Sequence, residues 1–499
     1  MAFARGKIKK PLGAVYRKYI TEPNIRGDLA HSYQTNLDIN KAHVLMLNKC
    51  GIMDKPAAAA VLAANRELAD MGEKPDFEID AGLEGLYFNL EKYVIDRAGL
   101  DFGGQQHTAR SRNDLGACVC RMDVRRAYLD FCEHVLALRR VLIDVAGANT
   151  DAVMSGYTHA QPAEPVTFAH YLCAIDSGFE RDYRRIAAVW EGMNLCPLGG
   201  GSMGSTTWGI DRKYVSDLLG FDAPMENSID CVASRDYLLE LTAAIAIFGN
   251  TMSRAAQDLF VWCGPDFGYL EVDDAIAVTS SIMPQKKNPC SLEVVKGKGG
   301  FSAGYFMGVF GAMKSSPYTN AVDVTYEAPR HIFEAIDEAT AAVDLLAETI
   351  RTIVVHKDRM LAKAVGNFCT VTELANTLVR RDGISFRAAH DILAGIVNLM
   401  LEEGKNATDI TAADVDRVFG ELFHGKTTLT DEEIRKALDP VQNAFSKTVQ
   451  GGTAQSEVKR QLAVLKDNLE CDEALWACRG DQVRRAKASL EKAIDALLK

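Results

Sequence analysis

Apolar residues recur three or four positions apart over long stretches of this chain, with Ala and Leu prominent and few alternating β-branched runs, a period that belongs to the α-helix. The pattern predicts long helices over residues 117–149, 169–192, 236–262, 292–310 and 327–355, the last with Pro329 near its start. Each is well beyond the globular mean of about 11–12 residues. Several such helices in mid-chain predict a bundle, and a helix apolar on all sides predicts burial on every side, through contacts between subunits. Clusters of Gly, Pro and Ser at 103–104, 197–204 and 315–320 place turns between the helices. In the last 130 or so residues the helical segments shorten, Gly451-Gly452 interrupts them, and a charged helix is expected from Asp472 on. The expected division is 1–114, 115–365 and 366–499, with no internal repeat.

Composition narrows the classes. The 499 residues carry 56 Lys+Arg against 67 Asp+Glu, a net charge of −11, with 47% hydrophobic and 25% charged residues. That balance is ordinary for a globular protein. A net negative chain whose basic cluster is confined to residues 7–10 is a poor match for nucleic acid or an anionic membrane, whose affinity comes from grouped Lys and Arg. Twelve cysteines lie scattered between Cys50 and Cys478 without a repeating framework. They are expected to be reduced core thiols, which points to the cytosol. Cys118 and Cys120 have no second pair at zinc-site spacing, so no structural metal is expected. The first ten residues lack the apolar core of a signal peptide, and no run of apolar residues is long enough to span a bilayer.

Three polar segments carry the candidate chemistry. In the first, His107-Thr108-Ala109-Arg110-Ser111-Arg112-Asn113-Asp114, two guanidinium groups, a hydroxyl and an amide within eight residues suit a dicarboxylate, because Arg can hold a carboxylate through two parallel N–H groups. The plainer alternative is a helix N-terminus capped by Asn113 or Asp114. The second, residues 156–165, is expected to be a loop that sets the Thr158 hydroxyl beside His159 and stops with Pro162 and Pro165; an imidazole can give or take a proton, so His159 is a candidate proton donor or acceptor. The third runs Thr279-Ser280-Ser281-Ile282-Met283-Pro284-Gln285-Lys286-Lys287-Asn288-Pro289, with Glu293 following in a helix. Tandem serines, two lysines and an amide between two prolines give a base or nucleophile, a cation and an anion-binding donor within reach of one ligand. Gly199-Gly200-Gly201-Ser202-Met203-Gly204 satisfies the spacing of a dinucleotide-binding turn. Its setting, after a long helix with no strand before it, argues against that use.

The SSIMPQKKNP segment with Glu293 downstream resembles the signature of the aspartase/fumarase superfamily, and the other two segments resemble those of argininosuccinate lyases. Further matches are Pro197 to Gly201 with Gly209 to Arg212, Asn227 to Asp230 with Ser234 to Asp236, and Thr372 to Ala375 with Val379-Arg380 and Phe386-Arg387. The resemblance implies an all-α, three-domain aspartase/fumarase-like fold with a central long-helix bundle. It further implies a homotetramer in which each active site combines loops of three subunits, and a reversible β-elimination that releases fumarate from a succinyl-bearing substrate. On these matches Ser280 corresponds to the family's catalytic base, with Ser281 beside it and able to share that role. Lys286 and Asn288 bind the carboxylate on which charge develops. Ser111, Arg112, Asn113 and Thr158 bind substrate carboxylates, Met283 lines the substrate, and His159 with Glu293 forms a charge-relay pair that protonates the leaving amine or positions it. No metal or organic cofactor is implied, and the partner is a small dicarboxylate.

Several positions depart from the argininosuccinate lyase pattern. Thr279 stands where a glycine precedes the serines, and Cys290 stands for an acidic residue. Thr319-Asn320 replaces a Tyr-Asn pair, Thr325 and Ala328 replace a Gln and a Lys, and a family His falls within Leu86 to Asn89. Cys290 and Asn320 are therefore expected to line the leaving-group side of the site. The expectation is a carbon–nitrogen lyase that splits an N-substituted aspartate into fumarate and an amine other than arginine. Enzymes acting on aminopolycarboxylates such as ethylenediamine disuccinate fit this pattern. Argininosuccinate lyase proper and an inactive structural homologue are the alternatives.

Overall fold

Side-chain caps and glycines punctuate the N-terminal helices α1 (Tyr33–Lys49), α2 (Lys55–Asp70) and α3 (Leu86–Ala98). Asp54 starts α2 by accepting the Ala57 N–H at 2.9 Å, and α3 stops at Gly99, whose φ of +79° favours glycine. The computed structural model describes residues 7, 10–72 and 75–499; residues 8 and 9 of the basic run lie outside them.

Next comes α4 (Arg112–Ala148), 37 residues long, hence about 55 Å. A short antiparallel pair follows, β1 (Val153–Thr158) and β2 (Gln161–Thr167), and leads into α5 (Phe168–Met193). The second polar segment, expected as a loop, is thus a β-hairpin. Pro162 and Pro165 argue against a strand, but in an isolated two-stranded ribbon each strand is an edge, where a proline's missing N–H need not face a partner. Helix α6 (Asp236–Cys263) is followed by β3 (Leu270–Glu271), then by β4 (Val278–Thr279) and β5 (Lys287–Asn288), which pair with each other. Helix α7 (Cys290–Met313) and helix α8 (Ile332–Thr352) complete the bundle, and β6 (Val354–Val355) pairs with β3. Helix α8 starts five residues later than the expected 327 because a π-turn over Asp323–Glu327 and Pro329, which has no N–H to donate, break the chain first.

One continuous apolar core joins α4 to α8. Helices α6 and α7 touch backbone to backbone: a Cβ on Gly299 would sit 2.5 Å from the Gly249 carbonyl oxygen, so only glycine permits the approach. A second core binds α1 to α3 to the start of α4 and to residues 196–221. A third, self-contained core holds α9 (Val371–Asp382), α10 (Phe386–Glu402), α11 (Ala412–Phe423) and α12 (Asp431–Leu438). The last helix, α13 (Gln455–Leu498), has 44 residues and starts well before Asp472. It leaves that third core: Val458, Leu465 and Leu469 enter the central core, and Leu490 and Ile494 enter the N-terminal one. The apolar stripe of α13 thus faces the bundle rather than its neighbours in sequence.

The expectation of core thiols also needs correction. All twelve cysteines are unbridged, six are buried, and Cys471 and Cys478 lie exposed on α13. Among the described residues no helix is long and apolar enough to cross a membrane, and no cluster of three potential metal ligands occurs.

Candidate active site

The first polar segment is both a helix start and a clasp. Ser111 caps α4 by accepting the Asn113 N–H, and Asp114 completes the capping box by accepting the Ser111 N–H at 2.9 Å. The segment is thus a capped helix N-terminus, but its cap is Ser111 rather than Asn113 or Asp114, and Arg110 is buried rather than solvated. The other oxygen of the fully buried Asp114 carboxylate accepts the N–H groups of Gly199 and Gly201 at 2.9 and 3.0 Å. The glycine run that imitates a pyrophosphate turn is therefore occupied by the chain's own anion. Gly199 and Gly201 have φ of +91° and +61°, and a Cβ on Gly200 would meet the Cys231 Cβ at 2.6 Å, so three successive glycines are required. Burial raises the Asp114 pKa, opposed by these backbone hydrogen bonds.

From there a chain of hydrogen bonds crosses the surface. Asn113 Nδ2 donates to the Ser202 carbonyl at 3.0 Å, Ser228 Oγ to the Met203 carbonyl at 2.8 Å, and Tyr318 OH to Asp230 at 2.5 Å. Residues 111–114, 199–204, 227–230 and the turn bearing Asn320 thus share one region. Arg112 lies over the Phe88 ring, 4.6 Å from its centroid, and reaches Glu84 at 3.5 Å, so its guanidinium is held on the outer side of α3.

Behind Arg112, His107 and Arg110 of the first segment join two residues of α3, Tyr87 and Glu91, that carry no motif. Tyr87 OH bonds Glu91 at 2.9 Å and the His107 Nδ1 at 2.5 Å, with Arg110 at 3.5 Å. Burial first, then Arg110 and Arg112, push His107 down to about 4, and burial raises Glu91. His107 is thereby kept neutral at physiological pH. The signal available in sequence was the departure from the family pattern within Leu86 to Asn89, which does not point to Tyr87 itself; the partners Glu91 and His107 become neighbours only once α3 packs on the approach to α4.

In the second segment Thr158 pairs with Gln161, and His159 and Ala160 form the two-residue turn, with φ of +53° and +60°. Positive φ at both central positions defines a type I′ turn, usually Asn-Gly. Two non-glycine residues there are strained, a condition that concentrates at functional positions. The turn leaves Thr158 and His159 exposed.

In the third segment β4 and β5 form a ribbon with residues 280–286 at its tip, and Ile282 there is 81% exposed. Ser280 Oγ accepts the Met283 N–H at 3.1 Å and the Ile282 N–H at 3.4 Å. Donors aimed at a hydroxyl oxygen favour its ionised form. Ser281 is exposed beside it, as are Met283 and Lys286. Asn288 is half-buried in β5, and the thiol residue Cys290 is half-buried at the start of α7. Glu293 lies exposed in the first turn of α7.

Within one chain the three segments stand apart. Among the described residues no hydrogen bond or ion pair joins 107–114, 156–165 and 279–293 to one another, so His159 and Glu293 are not partners inside a single copy.

A family model described as "Lyase" matches residues 6–302, and one described as "Argininosuccinate lyase C-terminal" matches residues 368–444. The chain is 45% identical over 467 residues to argininosuccinate lyase 1 of Shouchella clausii, covering 94% of each chain. It is 35% identical over 468 residues to argininosuccinate lyase of Methanosarcina acetivorans, covering 93% of this chain and 92% of that one. A crystal structure of EDDS lyase in complex with formate superposes with a TM-score of 0.87 at 29% identity, over 98% of this chain and 97% of that one. A fumarate lyase of Mesorhizobium sp. BNC1, at 17% identity and a TM-score of 0.71, shares the fold. The chain belongs to the argininosuccinate lyase-like branch of the aspartase/fumarase superfamily, and it is a carbon–nitrogen lyase that releases fumarate.

Proposed function

We propose that this lyase cleaves an N-substituted aspartate whose leaving amine is not arginine, using a site assembled from three subunits of a homotetramer. The observation that carries the subunit reading is helix α7. Beyond Lys298 it carries no charged side chain, yet Phe301, Met307 and Phe310 there, and Val294 before them, are exposed in the single chain, Phe301 by 68%. Apolar surface of that extent on one helix calls for a partner, and a second copy would bring the separated segments together.

In the assembled site the Ser280 oxygen takes the proton from the carbon next to a substrate carboxylate. The electron pair moves into that carboxylate, held by Lys286 and Asn288, and stabilisation of this aci-form is the larger electrostatic contribution. The C–N bond then breaks, its pair stays on the amine nitrogen, and fumarate is left. The Ile282 and Met283 N–H groups directed at Ser280 Oγ favour Ser280 over Ser281 as the base. Ser111, Arg112, Asn113 and Thr158 hold the remaining carboxylate, while Met283 lines the cavity. His159, backed by Glu293 of another copy, protonates or orients the amine. Every step is filled by side chains, so the reading needs no cofactor.

Cys290, Thr319, Thr325 and Ala328 supply no carboxylate, phenol, amide or ammonium where the argininosuccinate lyase pattern has them, and Asn320 alone of this set keeps its amide. A guanidinium loses its charged and hydrogen-bonding partners there, a loss of the kind that discriminates strongly against a substrate. The likeness to EDDS lyase over nearly the whole chain supports an aminopolycarboxylate. Argininosuccinate stays the second reading, favoured by the 45% identity to a relative of that name. Fumarate release, followed by ultraviolet absorbance with argininosuccinate and with N-alkyl and aminocarboxylate-bearing aspartates in parallel, separates the two. Release from the latter set alone upholds the proposal, and release from argininosuccinate alone overturns it.

A further inference from the structure

The two adjacent lysines of the third segment are used differently. Lys286 is exposed at the tip, whereas Lys287 is half-buried, its side chain 30% exposed. The Lys287 Nζ lies 2.8 Å from Glu271 Oε1 and 2.6 Å from Asp274 Oδ1. The second oxygen of Glu271 faces His356 Nε2 at 3.4 Å. Glu271 itself is fixed by the ladder between β3 and β6, and His356 N donates to the Tyr269 carbonyl at 2.9 Å. One ammonium therefore ties the base of the reactive ribbon to a carboxylate pair mounted on the end of the bundle.

We propose that Lys287 is a positioning residue: bridged to Glu271 and Asp274, it sets the facing of the ribbon that presents Ser280, Lys286 and Asn288. Successive side chains of a strand point to opposite faces, so Lys287, opposite Thr279 in the ladder, turns inward toward the carboxylates while Asn288, opposite Val278, turns to the other face. A two-residue ladder is too short to hold register alone, and a one-residue slip would exchange the two faces and point Lys287 where Asn288 belongs. The bridge fixes the choice. Ion pairs this exposed add little to the stability of a whole domain, but loop openings lie at the low end of the stability scale, where a small contribution alters the population of the ordered state.

This inference rests on the assignment of the ribbon to the reaction, and its test has one arm independent of that assignment. Lys287→Met, Lys287→Arg and the paired Glu271→Gln/Asp274→Asn variant are compared as the full-length assembly, by hydrogen exchange of the 277–289 peptide and by fumarate release. Lys287→Met and the paired carboxylate variant should each speed exchange in that peptide and lower kcat by on the order of 10-fold to 100-fold, the cost of misplaced contacts, with a smaller change in KM. Lys287→Arg, which still bridges two carboxylates, should keep both near the parent. Adding Lys287→Met to the carboxylate variant should cost nothing further, since the bridge is already gone. Unchanged exchange in Lys287→Met, or losses that simply add, would overturn the positioning role. Faster exchange with no fumarate released by the parent from any substituted aspartate would uphold the tether and discard the reaction assigned to the ribbon.

Discussion

Replacing Asp114 by Asn changes one atom in the clasp and leaves its shape intact. In the parent, Oδ1 accepts from Ser111 and Leu115 at 2.9 and 3.1 Å, and Oδ2 from Gly199 and Gly201 at 2.9 and 3.0 Å. A carboxamide has one oxygen. If it keeps the cap of α4, its NH2 group meets two backbone N–H groups that have lost their acceptor in a buried pocket. Each such donor costs ~1–3 kcal/mol, so the glycine turn loses about 2–6 kcal/mol of local stability. At 1.4 kcal/mol per decade, 2 kcal/mol is about 30-fold in the local opening equilibrium. Hydrogen exchange of the 198–205 peptide in Asp114→Asn should accordingly accelerate by at least about 30-fold, while peptides from α6 remain as protected as in the parent. Because Asn113 donates to Ser202 on the same turn, KM should rise as well. Exchange within about twofold of the parent would show that the turn holds its shape without the carboxylate and would refute this account of the glycines.

Three further outcomes follow from the same geometry. Ser280→Ala should remove turnover while leaving the assembly mass unchanged, since the residue sits on an exposed ribbon tip; a near-parent rate would move the base elsewhere. Phe301→Glu, on the open face of α7, should shift light-scattering mass toward smaller species and abolish activity; a parent chain that is monomeric with full activity would refute the shared site. His107, held down to about 4 in the fold against an ordinary value of 6.5, leaves the folded state unprotonated where the unfolded chain takes up a proton. Its contribution is therefore intact above 6.5 and is lost as pH falls toward about 4. The difference in thermal midpoint between parent and His107→Gln should shrink over that window, and a difference independent of pH would contradict the shift.

Legibility in the sequence followed the range of the physics. The long helices were readable because burial imposes a 3.6-residue period on every turn: the predicted 236–262 became Asp236–Cys263, and 169–192 became Phe168–Met193. The hairpin around His159 was not, because its turn uses His and Ala where local propensity asks for Asn and Gly, and its strands carry prolines. The return of α13 to the bundle was also hidden, since an apolar stripe does not say which neighbour covers it. At the candidate site the residue types were legible in each segment, whereas the Asp114 clasp, the Tyr87–His107 pair and the Lys287 bridge join residues far apart along the chain or oriented only by the fold. The separation of the three segments within one copy is the feature that motif reading alone could express only through family resemblance.

The identity of the leaving amine can be read from the reverse reaction. Fumarate is incubated with the protein and, in separate samples, arginine, ammonia, ethylenediamine, longer diamines and amino acids, and its ultraviolet absorbance is followed. Consumption is expected with one of the non-arginine amines and none with arginine. Consumption with arginine alone would contradict that expectation and make Cys290 and Asn320 parts of an argininosuccinate site.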